Sequence, residues 1–117
     1  MKKCIPSILA AASLAIPSVA NAAAFCDGAI TQTITYANGS VLIRGAWRNS
    51  YTQICNVKTE WKGVTPDVCY VWVSHASNAV TENKPVIVHY TGLDQAECAT
   101  MPNYGGSPAP AYVMLKQ

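Results

Sequence analysis

One stretch restricts this chain more than any other: residues 65–90, T-P-D-V-C-Y-V-W-V-S-H-A-S-N-A-V-T-E-N-K-P-V-I-V-H-Y. It reads as a helix running directly into a strand. Thr65 suits the N-cap, Pro66 the first helical position, and Asp67 complements the positive helix end. Val68, Cys69, Trp72, Val73, Ala76, Ala79 and Val80 recur at helical spacing and form one apolar stripe. Asn83 suits a left-handed terminating residue, and Pro85 prevents the helix from continuing. The spacing therefore predicts a helix over residues 66–82, followed by the β-branched strand V-I-V-H-Y.

The first 22 residues are read apart from the fold. Lys2 and Lys3 precede an uncharged apolar run from Ile5 to Val19, and Ala20-Asn21-Ala22 places small residues at −3 and −1 of a cleavage site. This is the pattern of a bacterial Sec-type signal peptide cut after Ala22. A retained membrane anchor is the alternative, but the run is short for a span and Pro17 interrupts it. Cys4 lies before the run, not where a lipoprotein cysteine stands. The expected mature chain is one domain, residues 23–117, secreted or periplasmic, with no membrane span after cleavage.

Charge and cysteine content narrow the class further. Losing Lys2 and Lys3 leaves six Lys and Arg against six Asp and Glu, so the apparent basicity belongs to the leader. Without clustered cations there is no case for nucleic acid. Four cysteines remain, Cys26, Cys55, Cys69 and Cys98. An even number in a small exported domain reads as two disulfides, each contributing about 2–4 kcal/mol to a marginal core. Zinc is the competing reading, but there is neither a C-x-x-C nor a close Cys/His cluster. No cofactor or metal is expected.

In chain order, residues 29–37 alternate, with Ile30, Ile34 and Tyr36 on one face and threonines on the other, a half-buried strand. Asn38-Gly39 is a strong hairpin signal, and residues 40–48 are the return strand, with Val41, Ile43, Gly45 and Trp47 inward. Asn38-Gly39-Ser40 is also a formal glycosylation sequon, which the turn explains without glycan. Residues 54–61 form a third strand with Cys55, Val57 and Trp61 in register. After the helix and the strand over residues 85–91 come an acidic loop, a Pro/Gly/Ser-rich loop over residues 101–110, and a closing strand over residues 111–115. The order β-β-β-α-β-β defines a mainly β (α+β) fold. It matches a five-stranded OB-like Greek-key barrel, whose helix stands between the third and fourth strands. The runner-up is a small α+β sheet with one covering helix.

Gly39 to Arg44 (G-x-V-x-I-R), the helix with Ala76 and Ala79, and Lys84 to Tyr90 (K-P-V-I-V-H-Y) resemble small secreted bacterial proteins of uncharacterised function. Their arrangement is similar to the B subunits of AB5 toxins of the subtilase-cytotoxin and pertussis-like type. That resemblance implies an OB-fold pentamer that binds glycans, with its long helices lining a central pore. It carries no glycan-contacting residue onto this sequence. It also bears on the cysteines. In such a barrel the first and fourth strands are antiparallel neighbours, bringing Cys26 near Cys98, while Cys55 and Cys69 face the core. The implied pairs are Cys26–Cys98 and Cys55–Cys69.

Candidate chemistry is sparse. His75 and His89 are the only histidines, and neither has a Cys, Asp or Glu at metal-motif spacing, so each reads as a solvated or interface residue. No nucleophile motif is present and no catalytic residue is assigned. Trp47, Trp61 and Trp72 fall inward in the alternation and read as core more than as sugar-stacking platforms. The candidate ligand-binding loop is Arg48, Asn49, Ser50 and Tyr51, which joins hydrogen-bonding groups to an aromatic; an ordinary polar loop has the same composition. Tyr70 and Val71 are apolar residues on the outward helix face shared with His75 and Asn78. They suit a homo-oligomer interface, or simply a surface of ordinary apolar content. The leading expectation is a non-enzymatic binding protein for a glycan or protein partner. A structural or inhibitory protein acting through protein contacts comes second, a minor hydrolase third.

Overall fold

A thirteen-residue strand sets the frame of the molecule. The structure, a computed structural model, describes residues 22–117, so all of the expected leader except Ala22 lies outside the described residues. Strand β1 spans Ala23–Thr35. It begins earlier than the alternation predicts, because A-A-F-C-D-G lacks the β-branched residues that mark a strand. Ala24 and Cys26 are nonetheless buried at alternate positions. Strands β2 (Ser40–Gly45) and β3 (Thr52–Asn56) precede helix α1 (Pro66–Glu82), and β4 (Pro85–Thr91) and β5 (Tyr112–Leu115) follow it.

These strands form one open antiparallel sheet in the order β3-β2-β1-β4-β5. Strand β1 joins the two halves: its first part, from Ala23 to Ala29, pairs with β4, and its second, from Ile30 to Thr35, pairs with β2. Strands β3 and β5 are the edges; beside β3 lies a single parallel bridge, from Thr52 to Tyr104. The molecule is thus mainly β with one helix, as the element order predicts.

Helix α1 has the predicted bounds and packs Cys69, Trp72, Ala76 and Ala79 into a core with Val41, Ile43, Cys55, Val86, Val88 and Tyr90. The apolar stripe is narrower than its spacing suggests, since Val68 and Val80 remain exposed. Thr65 makes no side-chain cap; its hydroxyl instead donates to the Asp67 carboxylate, which holds that carboxyl below its ordinary pKa. Asn83 closes the helix in the left-handed region at φ 55°. Disulfides Cys26–Cys98 and Cys55–Cys69, with Cα–Cα separations of 5.5 and 5.4 Å, are the pairs the toxin-like barrel implies. The first ties β1 to a 3-10 turn at Gln95–Cys98, the second ties β3 to α1.

Two details of register differ from the alternation. The β1–β2 pairing skips Thr31, and this bulge turns Ile34 opposite Leu42, on the face away from the core. Tyr36, two residues on, is exposed instead of inward. Strand β2 ends at Gly45, and Trp47 folds back over it, its indole ring filling the space a Cβ at Gly45 would need. Trp61 likewise leaves the third strand and pairs across a turn with Val64. Trp47 and Trp61 are therefore half-buried, and Trp72 alone of the three is a buried core residue.

Candidate functional site

The outer face of β1–β2–β3 is built by the same register. Gln32 stands opposite Arg44 and Ile34 opposite Leu42, so these four side chains share the face turned away from α1. Leu42 is 3% exposed yet belongs to no part of the helix-side core. It forms the floor of a shallow cleft of about 130 Å³ whose walls are Tyr36, Asn38, Ser40, Gln53, Tyr104 and Gly105. Tyr36 and Tyr104 are both exposed.

Tyr104 comes from the loop over residues 101–110, which has no strand or helix of its own to position it. Side chains do so instead. Arg48 donates through its two terminal nitrogens to the Met101 carbonyl at 2.6 Å and to Asn103 Oδ1 at 2.5 Å. Lys62 donates from Nζ to the carbonyls of Gly105 at 3.0 Å and Ser107 at 2.6 Å. The buried Ser107 hydroxyl is shared between the carbonyls of Gln53 and Tyr104, at 3.0 and 2.9 Å. The Tyr104 N–H donates to the Tyr51 carbonyl at 2.9 Å, and the Gln53 N–H to the Tyr104 carbonyl at 3.2 Å. Tyr104 itself takes a left-handed φ of 53°, a conformation an aromatic residue keeps only when its surroundings fix it.

The loop of Arg48, Asn49, Ser50 and Tyr51 reaches this face with divided roles. Arg48 is occupied in holding the Met101 carbonyl and the Asn103 side chain. Tyr51 donates its hydroxyl to Gln32 Oε1 at 2.7 Å, Arg44 donates to the same oxygen at 3.1 Å, and the Tyr51 and Tyr104 rings lie 6.2 Å apart. Asn49 is exposed and lines a second cleft of about 220 Å³ with Thr31, Arg44, Gly45, Ala46 and Arg48. Ser50 is partly exposed. Among the described residues no Asp or Glu lines either cleft. Sequence reasoning found Tyr51 but missed Tyr36, Gln53, Arg44 and Tyr104. The bulge hid Tyr36, while P-N-Y-G-G passed as a connection. An aromatic set inside a Gly/Pro-rich loop was the available signal for Tyr104.

The remaining candidates lie elsewhere. On α1, Tyr70 and Val71 are 62% and 53% exposed, Asn78 is exposed and His75 partly so. His89 stacks between Phe25 and Tyr112, at centroid distances of 4.5 and 4.8 Å, with Nδ1 at 3.2 Å from the Ala24 carbonyl. Among the described residues no group of three or more His, Cys, Asp or Glu is placed to hold a metal ion. No helix among them is long and apolar enough to cross a membrane. No protein-family model, curated protein or solved structure matches the chain.

Proposed function

We propose that this chain is an exported glycan-binding module, an OB-like barrel in the manner of toxin B subunits, whose ligand face is the outer side of β1–β2–β3. The observation that carries the reading is that Tyr36 and Tyr104, from separate segments, wall one shallow cleft, with the Tyr51 ring 6.2 Å from Tyr104 just outside it. Sugars present an apolar face of C–H groups ringed by hydroxyls. Tyrosine answers both with a flat apolar ring and a polar tip, at low entropic cost. Asn38, Gln53, Gln32 and Arg44 add planar donors and acceptors beside the rings. The order β3-β2-β1-β4-β5 supports the barrel reading, being the OB order with the seam between third and fifth strands left open. The leader pattern over residues 1–22 and two disulfides support export.

Residues 23–117 are expected to be retained by a glycan array, and Tyr51→Ala and Tyr104→Ala to lower that retention about tenfold each without unfolding the domain. Full retention by both variants rejects the site. The exposed Tyr70 and Val71 favour the second reading, a structural or inhibitory protein acting through protein contacts. Absence of any retained glycan would leave that reading in place.

A further inference from the structure

We infer that the ligand is a linear sugar chain lying along β2, not a single terminal sugar held in a pocket; this rests on the glycan reading above. The two clefts are successive stations on one strand. Ser40 and Leu42 line the first, Arg44, Gly45 and Ala46 the second, and Ser40, Leu42 and Arg44 alternate onto the same face. At ~3.3 Å per residue, Ser40 to Ala46 covers roughly 20 Å, the length of about four sugar rings joined end to end.

Between the clefts the surface is polar and ordered. Gln32 Oε1 accepts from both Tyr51 and Arg44, which fixes the phenol and guanidinium beside each other. The Gln32 amide nitrogen and the other Arg44 N–H groups have no further partner among the described residues, so donors remain for ring hydroxyls. Both clefts are open troughs, and neither encloses a sugar on all sides. One unit would gain a floor and a wall and keep much of its hydration. Affinity must then accumulate over several units whose later contacts come at little further translational cost. A site for a terminal sugar is instead concave enough to bury most of its ligand.

The test is calorimetric titration of residues 23–117 with glucose, N-acetylglucosamine and galacturonate oligomers of increasing length. In the series that binds, the tetramer is expected to bind at least ~100-fold more tightly than the single sugar, with no gain beyond about four units. Tyr104→Ala and Arg44→Gln, one at each station, should each lower tetramer affinity about tenfold, and the pair together should abolish the length dependence. Circular dichroism checks that both stay folded. A single sugar binding as tightly as its tetramer overturns the inference, as does Arg44→Gln leaving tetramer affinity unchanged. Array-positive protein that binds none of the three series overturns it too, while the glycan reading survives. Failure on both array and series removes the glycan reading itself.

Discussion

At the scale of single residues, the clearest consequence of burial concerns Tyr90, 1% exposed on β4. Loss of water pushes its phenol up to about 12, against a Thr52 hydrogen bond and the Arg48 charge, which pull it down. The unfolded chain ionises this group near pH 10, so above that pH the unfolded state releases a proton the native state keeps. The contribution is fully present below about pH 10 and is lost as pH rises toward 12. Urea midpoints measured from pH 9 to 11.5 should fall by the equivalent of about 2 kcal/mol, and Tyr90→Phe should flatten part of that fall. An equal decline in both proteins would assign it to other groups. Lys62 gives a second test. Its ammonium bonds two loop carbonyls and lies 4.8 Å over the Trp61 ring. Lys62→Met keeps the stem but removes the donors. The expected cost is about 1 kcal/mol, with faster hydrogen exchange confined to the amides of Gln53, Tyr104 and Ser107. Uniformly faster exchange would mean Lys62 supports the whole fold and not this loop.

At the scale of elements, what the sequence announced depended on whether the signal was local. Helix α1 was legible to the residue because Pro66, Asn83 and Pro85 punctuate it and because Cys69, Trp72, Ala76 and Ala79 repeat at its period. The β1 bulge was illegible. Nothing in T-Q-T-I-T-Y marks where one residue drops out of register, and everything after Thr31 then changes face. That slip carried Tyr36 from the expected core to the cleft on the outer face, and the candidate site was read only in part for the same reason. Tyr51 stood in a recognisable polar loop, whereas Tyr104 owes its position to Arg48, Lys62 and Ser107, contacts 53, 43 and 54 residues away in sequence from their partners Met101, Gly105 and Gln53. The two disulfides differ in what they constrain. Cys55–Cys69 closes a separation of 14 residues and Cys26–Cys98 one of 72, so the loop-entropy argument ranks the second higher. Replacing Cys55 and Cys69 by Ala should cost about 3 kcal/mol and replacing Cys26 and Cys98 about 4 kcal/mol, read from urea midpoints. The reverse order would show that anchoring α1 to β3 matters more than shortening the unfolded chain.

At the scale of the whole molecule, the sheet separates two surfaces of different make-up. Helix α1 covers one face and turns Tyr70 and Val71 to the outside, while the cleft walled by Tyr36 and Tyr104 opens on the other face. Copies associating through α1 would therefore keep every ligand face outward and unobstructed. Such an arrangement converts weak open clefts into a multivalent surface, because each further contact on a glycan-coated surface is intramolecular. Native mass spectrometry of residues 23–117 is expected to show an oligomer, and Tyr70→Lys with Val71→Lys to show a monomer. The two substitutions place like charges on one helix surface without entering the core, so the monomer should keep its thermal midpoint and its affinity for a free oligosaccharide. Retention on a dense glycan surface should nevertheless fall at least ~100-fold, since only avidity has been removed. A wild-type chain that stays monomeric at high concentration would exclude α1 as a self-association face. An oligomer that survives both lysines would move the interface to another part of the sheet.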